Sequence, residues 1–258
     1  MLILLPPSER KAASAEGPPL DLDDLSFPSL TPVRKRLLDL LGEVCLRDDA
    51  RELLDLPSGQ AEEALARNRA LAQAPTVPVS RLYTGVLYDN LALHQLDPGH
   101  AADRVVVFSG LWGALRLTDR VPPYRLSMNA TLPPAGRPAA LWRPALREAL
   151  GPLAEGRLIV DMRSGPYVAA WKPKPGKGQG PGPRGIVAVR VFREQVVRGV
   201  PKRTVVSHMA KATRGRVAHD LLQAGADPES PEELLKIVAG LGHSAELNGG
   251  NLDIVLHS

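Results

Sequence analysis

One stretch of the chain, Phe108–Leu126, concentrates side chains that can hold an anion. It reads FSGLWGALRLTDRVPPYRL and begins where the apolar run VVVF ends. Gly110 and Gly113 allow a sharp turn at a strand's end, where the ligand sites of α/β proteins gather. Arg116 and Arg125 carry planar guanidinium groups that suit phosphate or carboxylate. The stretch therefore predicts an anion-binding connection.

Aromatic residues in the same stretch add a second possibility. Trp112 and Tyr124 offer ring faces on which a nucleobase can stack. The alternative for Trp112 is packing in the core, which is the commoner place for an isolated tryptophan. Arg120 adjoins Asp119 and is expected to form a local ion pair, so it is the weakest candidate of the three arginines.

Other loops that follow apolar runs also carry polar residues. PPSERK follows the first run, YTG lies at 83–85, and DMRSGPY lies at 161–167. Such residues suit a pocket with general acid and base groups, although no G-x-S-x-G, P-loop or Ser/His/Asp signature is present. The candidates are Ser8, Lys11, Tyr83, Thr84, Asp161, Ser164 and Tyr167.

The segment SHMAKATRGR indicates a further anion site. We expect His208 to end an apolar strand and Lys211, Arg214 and Arg216 to open the helix that follows. A helix N-terminus presents free N–H groups and a partial positive charge, so added cations favour an anion there. The alternative is that Lys211 and Arg214 simply point into solvent.

Charge is unevenly distributed along the chain. The segment 171–216 contains twelve basic residues against Glu194 alone, a local net charge of +11, whereas the whole chain carries +4. Such polarity is typical of proteins that meet phosphates on one side. The alternative is a solvated face that aids solubility.

The elements that must position these residues form an α/β pattern. Four apolar runs and one shorter run predict strands, and continuous apolar strands indicate a mixed or parallel sheet flanked by helices. We expect a single domain over residues 1–258, with a basic Gly/Pro-rich surface loop at 172–185 between two neighbouring strands. The predicted strands are Leu2–Leu5, Val105–Phe108, Leu158–Met162, Ile186–Phe192 and Thr204–His208.

Helical patterns separate the strands. Thr31 and Ser58 are expected to cap two of the helices, and Ser230 precedes a helix with Pro231 at its first position. The sequence around Asn248–Asn251 links two β-prone arms and predicts a hairpin, which argues against a helix-hairpin-helix motif there. The predicted helices cover 31–44, 58–74, 141–150, 211–224 and 231–239.

Composition excludes several classes of protein. With 44% apolar and 23% charged residues in 258, the chain can bury an ordinary core. Its one cysteine, Cys45, excludes an internal disulfide, and we place it in the core. The six histidines show no metal-binding spacing, so we expect neither a metal nor another cofactor. No apolar run is long enough to cross a membrane and no signal peptide is visible, so we expect a cytoplasmic protein.

Several motifs together resemble the YaaA family of bacterial peroxide stress proteins. They are MLILLPPSERK, LSFPSLTPVRKRLLD, YTGVLYD, FSGLWGALRLTDRVPPYRLSM, LWRPAL, VDMRSGPYVAAW, VVSHMAKATRGR and ELNGGNLDIV. The resemblance runs nearly end to end, and the proline-rich, basic style is similar to actinobacterial members. It implies a single α/β domain with a positively charged cleft, binding of double-stranded DNA, and a role in limiting iron-driven oxidative damage.

The family pattern also marks individual positions. Departures from it occur at Arg10, where relatives have glycine, at Leu117, where they have proline, and at Met209-Ala210, where they carry Phe-Asn. Because we expect these positions to cluster in the cleft, they put the shared ligand in doubt. The positions that the resemblance marks are Ser8, Lys11, Tyr83, Thr84, Gly85, Ser109, Gly110, Gly113, Arg116, Tyr124, Arg125, Asp161, Ser164, Tyr167, Ser207, Lys211, Gly215 and Asn248.

Two functional hypotheses remain open at this stage. In the first, the cleft binds duplex DNA or another phosphate-bearing ligand, with Arg116, Arg125, Lys211 and Arg214 at the phosphates and Trp112 or Tyr124 stacking. In the second, the protein is an enzyme that acts on a nucleotide, a nucleobase or another small anion. The candidate catalytic residues are then Lys211 as a desolvated base or nucleophile, Asp161 or Tyr167 for proton transfer, and Ser8. The ligand-binding candidates are Lys11, Tyr83, Thr84, Trp112, Arg116, Tyr124, Arg125, Ser164, Arg214 and Asn248.

Overall fold

The architecture comes from a computed structural model. It describes residues 1–13, 15–173, 182–197 and 200–257. Most of the predicted basic loop, residues 174–181, lies outside the described residues.

A central sheet organises the protein. Five of its strands run parallel, in the order β3-β1-β6-β7-β10, and antiparallel strands β4 and β9 close its two edges. Strand β8 folds back antiparallel on the far end of β7, and a separate two-stranded sheet joins β2 to β5. The strands are β1 (Leu2–Leu5), β2 (Val77–Pro78), β3 (Val105–Ser109), β4 (Gly113–Leu115), β5 (Arg120–Val121), β6 (Leu158–Asp161), β7 (Gly185–Val197), β8 (Val200–Val205), β9 (Ala245–Asn248) and β10 (Asn251–His257).

Ten α-helices and three short 3-10 helices accompany the sheet within the described ranges. The 3-10 turns cover Pro28–Leu30, Ser58–Gln60 and Leu93–Gln95. The α-helices are α1 (Thr31–Val44), α2 (Ala50–Leu53), α3 (Ala61–Arg69), α4 (Val79–Leu82), α5 (Val86–Leu91), α6 (Pro98–Ala102), α7 (Pro138–Ala154), α8 (Gly165–Ala170), α9 (Ser207–Gln223) and α10 (Pro231–Gly240).

The predicted α/β class, a mostly parallel sheet flanked by helices, is confirmed. The four longer apolar runs all form strands, because β1, β3 and β6 are buried on both faces and such positions demand continuous apolar side chains. The C-terminal hairpin is also confirmed, since β9 and β10 pair antiparallel across the turn at Asn248–Asn251.

Several predicted boundaries were wrong. Neither Thr31 nor Ser58 caps a helix with its side chain, because a 3-10 turn occupies each of these starts. Ser230 does cap α10, accepting a hydrogen bond from the Glu233 N–H. His208 does not end a strand: β8 stops at Val205, and α9 begins one turn before Lys211.

One hydrophobic cluster runs from Met1 to Ile254 and fills the space between sheet and helices. Trp142 and Phe108 are among its largest fully buried side chains, and the Trp142 indole N–H donates to the Gly110 carbonyl at 2.8 Å. Cys45 is buried in this cluster, as the sequence predicts. No helix within the described ranges combines the length and apolar character that a membrane crossing requires.

Candidate functional site

A cavity of about 450 Å³ opens beyond the carboxyl ends of β1 and β6, and we call it the strand-end cavity. The loop after β1, the start of α5, the start of α8 and the first turns of α9 surround it. It is lined by Pro6, Pro7, Ser8, Glu9, Arg10, Gly85, Val86, Leu87, Tyr88, Ser164, Tyr167, Lys211 and Arg214.

The sheet topology explains why two of these loops meet. Strands β1 and β6 are parallel neighbours, with Leu4 opposite Asp161, so the loops that leave them emerge at the same end of the sheet. The carboxyl ends of the strands are the usual place for ligands in open α/β sheets. Ser8 therefore comes close to Ser164, although the two are far apart in sequence.

Close helix packing brings in the third wall. A side chain at Gly215 of α9 would place its Cβ 2.3 Å from the Leu87 carbonyl oxygen of α5, so only glycine permits this approach. Gly85, which precedes α5, has a φ of +98° and lies against the Ser8 hydroxyl. These contacts hold Lys211 and Arg214 beside the loop after β1.

Cations dominate the charge of the cavity wall. Arg10 and Lys211 are exposed, and Arg214 is half-buried with its Nε donating to the Val189 carbonyl at 3.0 Å. Burial lowers the pKa of Arg214. Because an arginine guanidinium stays protonated in proteins, Arg214 nevertheless carries its positive charge. The one carboxylate of the lining, Glu9, is paired with Arg125 at 3.0 Å. Three cations therefore face the cavity, and its single anion is already neutralised.

Lys11 lies directly behind this wall. Its side chain turns back so that Nζ donates to the Ser8 carbonyl at 3.0 Å, and Nζ stands 4.4 Å from the centre of the Tyr124 ring. Desolvation by burial lowers the pKa of Lys11 to about 7, a shift that Glu9 opposes and Arg125 reinforces. The amine is therefore present in both charged and neutral forms at neutral pH.

The desolvated lysine of the site is Lys11 and not, as the sequence had predicted, Lys211. The sequence predicts that role for Lys211, but the Lys211 side chain is exposed. Lys11, expected there only as a ligand contact, is the lysine that the fold partly buries.

All four tyrosines of the chain gather around Lys11 and the cavity. Tyr83 stacks on Tyr88 with ring centres 5.3 Å apart, and the Tyr83 and Tyr124 hydroxyls are 2.9 Å apart. Tyr88 donates to the Pro6 carbonyl at 2.7 Å, and Tyr167 lines the cavity. Burial raises the pKa of each phenol, so the four remain protonated at neutral pH.

A serine orients this group of hydroxyls. The Ser109 oxygen accepts hydrogen bonds from the N–H groups of Leu111 and Trp112, so its own proton is directed to the Tyr124 hydroxyl 2.6 Å away. The Tyr124 hydroxyl is also hydrogen-bonded to the Tyr83 hydroxyl. The result is a chain of hydroxyl groups beside the Lys11 amine.

Asp161 is committed to another partner. Arg163 binds both of its carboxylate oxygens, at 2.9 and 2.7 Å, and the pair is buried. The Arg163 guanidinium also lies 4.2 Å from the centre of the Phe108 ring. Asp161 therefore holds the loop after β6 in place, and this pairing differs from the free proton-transfer group that the sequence analysis expected.

Three predicted ligand residues lie elsewhere. Trp112 is fully buried, so the core-packing alternative is the correct one for it. Arg116 donates to the carbonyls of Ala102 and Asp103. These two residues precede β3, so they lie at the opposite end of the strands from the cavity. Asn248 lies at the end of β9, where its amide reaches Asp253 at 3.4 Å.

The remaining candidates are distributed around the cavity. Ser8, Ser164, Tyr167, Lys211 and Arg214 line it. The rest adjoin it: Lys11 and Tyr83 form an isolated β-bridge, the Thr84 N–H donates to the Arg10 carbonyl, Tyr124 is buried beside Lys11, and Arg125 pairs with Glu9.

The basic segment 171–216 is less charged in space than in sequence. Arg190 pairs with Asp253 at 2.6 Å, and Arg203 pairs with Glu194 at 2.9 Å and also with Glu246. Arg184 pairs with Glu229. The fold thus brings carboxylates from outside the segment against three of its arginines.

The expected clustering of the family departures is only partly found. Arg10 lines the strand-end cavity, whereas Leu117 is buried and lines a different, apolar cavity with Pro78 and His94. Met209 accepts a hydrogen bond from Arg193 through its sulfur, and Ala210 is buried. The change at Arg10 is therefore the one that adds a cation to the cavity.

Sequence reasoning missed Arg163 and Tyr88 as members of the site. Both stand inside motifs that the sequence analysis singled out, DMRSGPY and YTGVLYD. Because aromatic residues make up only 4% of the chain, the recurrence of tyrosine in separate strand-end loops was the available signal. Within the described ranges, no group of three histidine, cysteine or acidic side chains is arranged to hold a metal ion.

Comparison with known proteins places this chain in one family. The family model described as "Peroxide stress protein YaaA" matches residues 1–246. A UPF0246 protein of Streptomyces coelicolor is 45% identical over 269 residues, covering 100% of this chain and 99% of that protein. A UPF0246 protein of Corynebacterium efficiens is 39% identical over 254 residues, covering 97% and 96%. The chain belongs to the YaaA family of peroxide stress proteins, also termed UPF0246, and its relatives include actinobacterial members.

Proposed function

We propose that this protein binds a phosphate-bearing ligand in the strand-end cavity. The observation that carries the proposal is the convergence of Arg10, Lys211 and Arg214 on one concave site. These cations come from two segments far apart in sequence, and their one acidic neighbour, Glu9, is paired with Arg125. A phosphate group satisfies several such cations at once.

The neutral groups of the cavity support the same ligand chemistry. Ser8 and Ser164 supply hydroxyl groups at the two strand ends, and hydroxyl groups commonly complete the coordination of phosphate oxygens. Tyr167 stays protonated because burial raises its pKa, so its phenol is a neutral group that does not repel an anion.

The size of the cavity favours a small ligand over a long duplex. Its volume of about 450 Å³ falls in the range of small-molecule sites. Specific contact with duplex DNA uses an extended surface, and Arg184, Arg190 and Arg203 of the basic segment are already paired with acids. A nucleotide-like anion therefore fits the observations better than duplex DNA does.

Calorimetric titration with inorganic pyrophosphate tests the proposal. Lys211→Gln and Arg10→Gln each remove one cation from the rim, and each should raise the Kd by about tenfold or more, because hydrogen bonds to charged groups contribute about 1.5–3 kcal/mol. Lys35→Gln, at an exposed position on α1, is the matched control and should leave the Kd unchanged. Equal affinities in all three variants and the wild type would overturn the proposal.

A parallel titration with short duplex DNA over a salt series separates the rival function. Duplex binding that weakens steeply with salt, in a protein with no measurable affinity for pyrophosphate, would favour the DNA-binding hypothesis instead. Pyrophosphate binding that duplex DNA does not displace supports the small-ligand site.

We infer that this binding serves the peroxide stress response, because the matching family model carries that description. A cytoplasmic location is part of the same proposal and rests on the sequence alone. A strain lacking the gene should lose viability in hydrogen peroxide and recover it with the wild-type chain. Complementation by Lys211→Gln should be incomplete, and complementation by Lys35→Gln should be complete. Full recovery with Lys211→Gln would separate the cavity from the stress response.

A further inference from the structure

The Lys11 amine lies next to the strand-end cavity, behind the loop that forms one of its walls. Nζ donates to the carbonyl of Ser8, a residue that lines the cavity, so the amine lies directly beneath the lining. Tyr83 and Tyr124 cover its other side, with ring centres 5.6 and 4.4 Å from Nζ. No carboxylate forms an ion pair with Lys11 within the described ranges, so the amine is not held as a salt bridge.

We propose that Lys11 is a catalytic amine that forms an imine with the carbonyl group of a small phosphate-bearing substrate. This inference rests on the proposed function, because the phosphate group is taken to occupy the site made by Arg10, Lys211 and Arg214. The substrate class is therefore a phosphorylated aldehyde or ketone.

The charged groups around Lys11 favour a reactive amine. The pKa of Lys11 is lowered to about 7, chiefly by desolvation; Glu9 opposes this shift, and the positive charges of Arg125 and Arg67 contribute to it. Glu9 is itself paired with Arg125, and the phenols of Tyr83 and Tyr124 are neutral. A large share of Lys11 is thus neutral at about pH 7.5, whereas an ordinary lysine is neutral in roughly one molecule per thousand.

The chemistry needs no oxidant and no cofactor. The Nζ lone pair bonds to the carbonyl carbon, the carbonyl π electrons move to its oxygen, and an amine proton passes to that oxygen to give a carbinolamine. A second proton then reaches the oxygen, which leaves as water while the nitrogen lone pair forms the C=N bond. Bulk solvent entering the open cavity supplies that second proton, and the proton that the nitrogen loses when the imine becomes neutral returns to solvent.

Reductive labelling of the wild-type protein tests the proposal without any variant. Pyridoxal phosphate carries both an aldehyde and a phosphate group, and sodium borohydride converts an imine into a stable amine that peptide mass mapping can locate. We expect Lys11 to be labelled about tenfold faster than the exposed Lys211 at about pH 7.5, after allowing for the lower nucleophilicity of a weaker base. The labelling rate should follow a titration with a midpoint of about 7.

Pyridoxal, which lacks the phosphate, separates this inference from the proposed function. Faster labelling of Lys11 by pyridoxal phosphate than by pyridoxal, with protection by pyrophosphate, supports both. Equal labelling by the two aldehydes supports the reactive amine and contradicts the phosphate site. Labelling of Lys11 no faster than Lys211 overturns the amine, and the pyrophosphate titration then decides the phosphate site alone.

The variant Lys11→Arg adds a control for a purely structural role. It keeps a positive charge beside Ser8 but cannot form an imine. Label at position 11 should disappear, and the other lysines should be labelled as slowly as they are in the wild type. Transfer of the label to another lysine at the wild-type rate would contradict the assignment.

Discussion

Replacing Lys11 by methionine should change how the stability of the protein depends on pH. Methionine has a similar length and fills irregular space in a core, so it removes the titrating amine with little change of volume. In the wild type, burial lowers the pKa of Lys11 from 10.5 to about 7. The unfolded chain restores the ordinary value, and the difference between the two states ties folding to proton binding.

The sign and size of the effect follow from that difference. Between pH 7 and pH 10.5 the unfolded state binds a proton at Lys11 that the folded state does not, so the wild type gains stability as pH rises through this window. Complete titration amounts to about 5 kcal/mol, and the part between about pH 6 and about pH 9 is about 2.5 kcal/mol. Below pH 7 the full cost of burying the charged amine remains.

Urea denaturation of both proteins at several pH values measures this effect. The quantity to compare is the free energy of unfolding of the wild type minus that of Lys11→Met, in which contributions of other groups cancel. We expect this difference to rise by about 2.5 kcal/mol from about pH 6 to about pH 9. Lys35→Met, at an exposed position, should show no comparable rise. A flat difference for Lys11→Met would refute the desolvated amine and, with it, the basis of the proposed imine chemistry.

Three further tests, two by substitution and one by thiol labelling, examine the packing of the fold. Asp161→Asn leaves the buried guanidinium partner of Asp161 without its counter-ion and should lower the free energy of unfolding by about 3–5 kcal/mol; a loss below about 1 kcal/mol in urea denaturation would contradict its anchoring role. Gly215→Ala forces a Cβ against the backbone of α5 and should lower the free energy of unfolding by about 1–3 kcal/mol. Gly42→Ala, with no neighbouring atom within 4 Å, should leave it unchanged or raise it slightly. Similar thermal unfolding of the two variants would argue against tight α5–α9 packing. The thiol of Cys45 is buried and its pKa is raised by burial, so it should react with a chromogenic disulfide only when the protein unfolds; rapid reaction of the native protein would show that the thiol is accessible.

Local patterns in the sequence were enough to predict much of the secondary structure. Leu2–Leu5 and Leu158–Asp161 are short, largely apolar runs bounded by polar or proline residues, and such runs are typical of strands buried on both faces. The hairpin at Asn248–Asn251 depends on turn chemistry within four residues. Boundaries were predicted less well, because the 3-10 turns before α1 and α3 and the early start of α9 depend on contacts with distant parts of the chain.

The sequence placed Ser8 and Ser164 in strand-end loops and Lys211 near the start of a helix, and all three line the strand-end cavity. The parallel order of β1 and β6 brings the two loops together. Arg116 was expected to join them, but its guanidinium lies at the opposite end of the strands. The chain runs back along β3 through the antiparallel strand β4 before it arrives at Arg116. No periodic pattern contains this information, since strand order is decided by long-range pairing.

Charge and protonation also depended on spatial neighbours. The sequence indicates that Lys11 follows a strand and that Arg190 and Arg203 belong to a basic segment. Only the folded chain places Tyr83 and Tyr124 against Lys11 and brings Asp253 to Arg190. Local sequence therefore determined which helices and strands form and which side chains are available to build a site. Tertiary packing decided which of them lose water and which charges are cancelled, because desolvation and Coulomb energies depend on distances in space and not on separation along the chain.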